Sequence, residues 1–475
     1  MIGFVYEPPV VAAAADAGSA AATVPINARS RRWRTRLSLG SGGSRVLLFA
    51  AVYVAIVAGG AALRMSDAEH HTPPRSADEQ AYLALGRSLG NGGPFAVATM
   101  NDPLHWPPGT PALFGAARWI GGSPANQLDP ESVYTAQAVV STLGIGAAIL
   151  LAVLIAGPWA GFAAGAATAF YQPLDDAAAR ALSEPLGGLA LTLALAALVW
   201  AFKRGSPWRF WLAGVLAGAT VLVRADLLVI VVLLAAWAFV ALRRVSRRTG
   251  LLSAAAVVAG ALLITGPWIL HASARAGHFV PVSTAGGSAF YVGTYLPGHG
   301  TVDGFKRAVA PAVRRQMPYY RTRPVSKIPQ EKMLDIVAAR DRGLGRAAAL
   351  RKEAWRNVSR YGGSDPIGFS GMLLAKASRM WTTPTRQSAY QRLKAIPLAI
   401  HILLVGLALA GLGIGLILRR SAACAAILLV AAGSTAVNAV FLSEPRHLLP
   451  LAPALFAGGA AGWALLVAGR TRRPT

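Results

Sequence analysis

The sequence predicts an all-α polytopic membrane protein with about ten transmembrane helices, and three observations carry that reading. Hydrophobic residues make up 54% and charged residues 14% of the 475, where a soluble domain carries about 25% charged residues; mean hydropathy is +0.47. The apolar residues fall in blocks of about 20, the length at which a helix crosses a bilayer core of about 30 Å. Short basic clusters join the blocks and account for the net charge of +26. Placed at the ends of apolar blocks, that charge fits the positive-inside rule and anionic lipid, and it excludes nucleic acid as the expected partner.

In chain order, residues 1–44 read as a disordered cytoplasmic tail. They are Ala/Gly/Ser-rich, then basic at Arg29, Arg31, Arg32, Arg34 and Arg36, with no apolar core before about residue 46 to serve as a signal. Spans follow near 46–65, 134–156, 158–172, 182–202, 209–223, 227–242, 251–270, 396–418, 421–442 and 448–468. The transmembrane core thus covers 45–270 and resumes over 396–475, which ends in a short basic tail. Besides the N-terminal cluster, basic groups lie at Lys203/Arg204/Arg209, Arg243/Arg244/Arg247/Arg248, Arg419/Arg420 and Arg470/Arg472/Arg473. Ten crossings put all of these on one side with both termini, and one span more or fewer would scatter them. The other side receives two long segments. The first, 66–133, carries an amphipathic stretch at Ala77–Leu89; the second, 271–395, is long enough for a small helical subdomain.

Cys424 is the one cysteine and lies in an apolar block, so no disulfide framework or cysteine metal site is expected. The 20 carboxylates are informative by position. Asp78, Glu79, Asp102, Asp175, Asp176, Glu184, Asp226 and Glu444 fall on the external side or its membrane edge, with His105, Arg180, Arg224, His271, Arg446 and His447. An ionisable residue at membrane depth is costly and normally faces a polar cavity or a partner. Acids and arginines gathered at one face suggest a cavity for a phosphorylated, hydroxyl-rich ligand. Each has a plainer reading too. Asp78 with Glu79, and Ser183 with Glu184, suit helix starts; Arg224 with Asp226, and Glu444 with Arg446, suit local ion pairs; His105-Trp106 suits an interfacial aromatic belt.

Six segments in order resemble one family, the GT-C glycosyltransferases. Ser76-Ala77-Asp78-Glu79-Gln80-Ala81-Tyr82 is similar to its first external loop, and His105-Trp106-Pro107-Pro108 to the Pro-Pro segment after it. Ser183-Glu184-Pro185 and Leu222-Val223-Arg224-Ala225-Asp226 resemble later span edges, the second with Ala225 and Asp226 where the family has Pro and Glu. Gly266-Pro267-Trp268 with Phe279–Gly287 resembles the approach to the large loop, and Ser443-Glu444-Pro445-Arg446-His447 the element before the last span, with His447 for Tyr. The nearest branch is the dolichyl-phosphate-mannose-protein mannosyltransferase-like group, which includes the aminoarabinose lipid-A transferases.

The resemblance implies a cell-membrane enzyme that moves a hexosyl or pentosyl group from a polyprenyl-phosphate donor, with inversion, to an acceptor hydroxyl on the outer face. A cell-envelope glycan, a glycolipid or a protein would be the acceptor. It assigns Asp78, with Glu79 beside it, to catalysis. Tyr82, His105, Asp175, Asp176, Glu184, Arg224, Asp226, Glu444, Arg446 and His447 would bind substrate. Arg224 and Arg446 suit the leaving phosphate because guanidinium meets it in planar, bidentate geometry; Arg180 and Arg275 stand behind them. The motifs assign no cofactor, and a divalent metal stays open. Asp78, Asp175, Asp176 and His105 could supply a divalent-metal site, but their spacing is not diagnostic and no metal ligands are assigned. The alternatives are a transporter or lipid flippase, which calls for carboxylates near the midplane and broken helices in matched halves, and a non-catalytic membrane scaffold.

Overall fold

The computed structural model describes residues 42–70, 73–74, 76–98, 100, 102–122, 130–341, 343–384 and 395–470. The N-terminal basic cluster, Arg472 and Arg473 lie outside these residues. The described chain is helical, with no strand. Its first helix, α1 (Gly42–Glu69), leads to a loop that holds α2 (Ala77–Gly90) and α3 (Gly109–Gly121). Then come α4 (Pro130–Ala156), α5 (Pro158–Ala169), the short α6 (Gln172–Ala178), α7 (Glu184–Arg204), α8 (Phe210–Val223), α9 (Val229–Leu242) and α10 (Arg247–Ala276). The second long segment folds as α11 (Gly286–Thr294), α12 (Val302–Gln316), α13 (Gln330–Ala338), α14 (Arg346–Ser364) and α15 (Pro366–Thr382). The chain closes with α16 (Ala395–Ile417), α17 (Ala422–Val440) and α18 (Ala452–Arg470).

A helix stands at each of the ten expected spans, and seven are long and apolar enough to cross a membrane. The other three, α5, α8 and α18, each have an end next to a turn, at Phe170-Tyr171, at Arg224 and at Pro445–Leu448. The helix ends alternate about a polar cluster. Arg64 near the end of α1 reaches carbonyls at the end of α5, and Gln137 near the start of α4 reaches the turn before α7. Glu184 opens α7, Arg224 follows α8, and Asp226 precedes α9. Trp268 and His271 near the end of α10 lie beside Leu222, and His401 near the start of α16 bonds Tyr171. Lys203, Arg204, Arg209, Arg243, Arg244, Arg247, Arg248, Arg419 and Arg420 stand at the opposite helix ends.

Small residues let the core helices close. A Cβ at Gly214 of α8 would collide with the Val257 carbonyl of α10, and one at Gly462 of α18 with the Gly411 carbonyl of α16. Helices that cannot gain from a hydrophobic drive in lipid associate through such close backbone packing. One apolar core runs through α4–α10 and α16–α18, and a separate one, around Phe305, Met333 and Leu350, holds the second segment together. The two bodies are joined at Lys376 of α15, which is fully buried. Its Nζ donates to the Gly293 carbonyl at 2.8 Å and the Phe441 carbonyl at 2.6 Å, fastening the ends of α11 and α17 to α15.

Candidate functional site

Two parts of the chain far apart in sequence meet at Asp78. Its position follows from a helix start: Ser76 caps α2 in a reciprocal capping box with Glu79, which fixes the first turn. Successive residues on a helix point about 100° apart, so Asp78 and Glu79 face different neighbours. Asp78 Oδ1 accepts from the Trp106 indole N–H at 3.0 Å, and Oδ2 accepts from Arg446 Nη2 at 2.6 Å. Glu79 turns the other way. Its two oxygens accept from Arg180 at 3.1 and 2.8 Å, and Oε2 also from Ser76 N–H and Oγ.

Arg446 lies in the turn before α18, where Pro445–Leu448 forms a short 3-10 segment. Its Nε donates to Glu444 Oε2 at 2.7 Å and lies 3.7 Å from Glu184 Oε1. Glu184 is fully buried at the first position of α7 and also receives Arg224 at 3.1 Å. Arg224 completes its fork on Asp226, with both bonds at 3.2 Å, and on Ser183 Oγ, also at 3.2 Å. Gly187 leaves room for this side chain: a Cβ there would stand 3.1 Å from Arg224 Cδ. Glu184 thus bridges the two arginines, and its Oε2 has no hydrogen-bond partner. Tyr82 is buried, with Asp78, Glu184 and Arg224 as its charged neighbours.

The electrostatics follow from burial and pairing. Burial pushes the Asp78 carboxyl up, but Arg446 and the Trp106 N–H outweigh it and hold the group at about 2. Burial likewise raises Glu444, and Arg446 then carries it below its ordinary value. His447 is pulled down to about 4, first by burial and then by Arg224, so it is neutral, and its Nδ1 is buried without a partner. His105 is lowered by burial despite Asp102 and Asp78 nearby. With His447 neutral, Asp78, Glu184, Asp226 and Glu444 face Arg224 and Arg446, an excess of two negative charges.

The predicted site residues therefore divide. Asp78, Tyr82, Glu184, Arg224, Asp226, Glu444, Arg446 and His447 converge, with His105 at the edge against Trp106. Glu79 joins Arg180 instead, while Asp175 lies 3.0 Å from Arg64 and Asp176 accepts from Gln172. Arg275 is exposed at the end of α10. The plainer readings hold at the same time: Asp78, Glu79 and Glu184 do open helices, and the Arg224–Asp226 and Glu444–Arg446 pairs do form. Arg64 escapes the sequence. It is fully buried, donates to Ser141 and to the carbonyls of Gly60, Thr168 and Ala169, and its only signal was an arginine at the edge of an apolar block. Among the described residues no three His, Cys, Asp or Glu side chains are placed to hold a metal ion. An apolar cleft of about 430 Å³ lies next to the cluster, lined by Pro108, Ala112, Leu222, Ile264, Trp268 and His271.

No family model matches the sequence, and no curated protein matches it. Two solved structures of the Archaeoglobus fulgidus oligosaccharyltransferase are similar. One is AglB in complex with an inhibitory peptide and a dolichol-phosphate, at 16% identity and a TM-score of 0.53 over 90% of this chain and 51% of that one. The other is the apo form, at 16% identity and 0.53 over 89% and 51%. The chain spans about half the length of these oligosaccharyltransferase chains. ArnT from Cupriavidus metallidurans bound to undecaprenyl phosphate aligns at 17% identity over 88% of this chain and 78% of that one, with a TM-score of 0.38 that is too low to argue from. At these identities the likeness is one of fold. Over nearly its whole length the chain shares the fold of the corresponding half of the archaeal oligosaccharyltransferase.

Proposed function

We propose that the protein is a membrane glycosyltransferase that moves a hexosyl or pentosyl group from a polyprenyl-phosphate donor to an acceptor hydroxyl. One contact carries the reading: Asp78 of the first loop and Arg446 of the last meet at 2.6 Å, and Glu184 ties Arg446 to a second arginine, Arg224. A phosphate leaving group gathers charge on its oxygens, which guanidinium neutralises in planar geometry. Arg446 and Arg224 are the groups for it, and the cleft between α3, α8 and α10 suits the start of an isoprenoid chain. The dolichol-phosphate named with the archaeal oligosaccharyltransferase is a ligand of that chemistry.

The acceptor oxygen forms a bond to the anomeric carbon as the bond from that carbon to the phosphate oxygen breaks. The electron pair leaves with the phosphate, and the hydroxyl proton passes to Asp78 Oδ2. One base with direct displacement inverts the anomeric centre; retention would need a nucleophilic carboxylate as well. We place the site on the outer face of the cell membrane, because the basic helix ends lie opposite the cluster. The acceptor is an envelope glycan, a glycolipid or a protein hydroxyl. The rival transporter reading is weakened because Asp78, Glu184, Arg224, Asp226, Glu444 and Arg446 stand at helix ends and turns, away from mid-helix.

Titration of the purified protein in lipid nanodiscs with decaprenyl phosphate tests this. Saturable binding is expected, weakened about tenfold or more in Arg446→Lys, which keeps charge but loses the fork, at an unchanged unfolding temperature. No saturable binding by the wild type would overturn the proposal. Undiminished binding by a folded Arg446→Lys would remove Arg446 from the phosphate site.

A further inference from the structure

The oxygen of Asp78 that would take the acceptor proton is the one already held by Arg446, at 2.6 Å. The same guanidinium is the one a donor phosphate can reach. Arg224 is 8% exposed and committed on every side, to Asp226, Glu184 and Ser183. Arg446 is 23% exposed, and its partners Asp78 and Glu444 are 29% and 33% exposed. A phosphate entering the cluster adds negative charge to an existing excess of two, from four carboxylates against two guanidiniums. It can be accommodated by taking a guanidinium away from a carboxylate.

We propose that the donor phosphate takes Arg446 over from Asp78, so that donor binding itself frees the base. Before the donor arrives, Asp78 Oδ2 is occupied by Arg446 Nη2. After it arrives, Oδ2 faces the acceptor hydroxyl, while the Trp106 N–H at 3.0 Å keeps the carboxylate in place through Oδ1. The acceptor proton then moves to Oδ2 as the acceptor oxygen bonds the anomeric carbon and the phosphate departs on Arg446. The order is favoured: an acceptor bound alone meets a carboxylate still paired to Arg446 and therefore a weaker base. This rests on the glycosyl-transfer reading above and adds to it a coupling between the two substrates.

Decaprenyl phosphate titrations of four proteins in nanodiscs test it: wild type, Asp78→Asn, Arg446→Gln and the double variant. A competing carboxylate removed should tighten binding, by about tenfold or more for a charge in direct contact with the shared group. The gain should vanish in the Arg446→Gln background, since coupling through one shared partner is non-additive. Glu79→Gln, next in sequence but bound to Arg180, should change affinity less than about twofold. An equal gain with and without Arg446 would mean a general field effect and would overturn the coupling, as would unchanged or weaker binding by Asp78→Asn. Should Asp78→Asn unfold, Asp78→Ser carries the same expectation. Failure of the wild type to bind removes the glycosyl-transfer reading, and the coupling with it; binding without the gain removes the coupling alone.

Discussion

Glu79→Ala separates structure from chemistry in the first loop. Glu79 is 1% exposed and accepts hydrogen bonds from the Ser76 N–H and Oγ and from Arg180, itself 17% exposed. Loss of capping contributes about 0.5–2 kcal/mol. Two charge-assisted bonds contribute about 1.5–3 kcal/mol each where the partner stays dry. Arg180 regains some water once freed, so the ionic part is discounted by about half. The expected cost is about 2–5 kcal/mol, a fall of a few degrees in unfolding temperature at roughly 1 °C per kcal/mol for a chain of 475 residues. The carboxyl is raised by burial but brought below its ordinary value by Arg180 and Ser76. Its contribution is therefore full above the unfolded carboxylate range, near pH 4, and disappears as pH falls through the depressed folded value. The assay is tryptophan-monitored unfolding in detergent, read beside glycosyl transfer per folded molecule. Normal stability with abolished transfer would refute the reasoning and pass the base role from Asp78 to Glu79.

The remaining expectations are shorter. Asp78→Asn should lower turnover by about 10²–10⁴ with an unfolding temperature close to wild type, because a positioned general base contributes that much; near-normal turnover would dismiss it as the base. Lys376 is held at about 7 by burial and then by Arg379. Its unfolded value is near 10.4, so the unfolded chain binds more protons between the two and stability should climb as pH rises from about 7 to about 10. Unfolding curves of Lys376→Met should lose that slope; an unaltered slope would assign it to other groups. For topology, with Cys424→Ala as background, Asp303→Cys should react with an impermeant thiol reagent from outside and Arg248→Cys should not. Both positions are exposed on the folded chain, and the opposite labelling pattern would invert the topology.

Much of the architecture was legible because hydropathy is local. An apolar block of about 20 residues must pair its backbone internally in lipid, and only a helix does this within one segment. Ten such blocks produced ten helices close to their expected limits. The helix starts at Asp78-Glu79 and Ser183-Glu184 and the turn pairs Arg224–Asp226 and Glu444–Arg446 were equally local and equally readable. Even the list of candidate acids followed from scarcity, since a chain with 20 carboxylates places few of them at a membrane edge without a partner.

Which acid meets which base was decided only in three dimensions. Asp78 and Glu79 are adjacent in sequence and alike in charge, yet one pairs with Arg446, 368 residues away, and the other with Arg180, 101 away. The turn of the helix between neighbouring residues separates them, and the packing of α18 and α7 supplies their partners. Asp175 had the same standing as Glu184 in the sequence; Arg64, reaching across from α1, draws it out of the cluster. The partners of buried Arg64 and Lys376 could not be read from the sequence, because each is satisfied by carbonyls at helix ends that other segments deliver. Local propensity sets where a helix begins and which face is apolar. The partner of a buried charge depends on helices that come together only when the whole bundle closes.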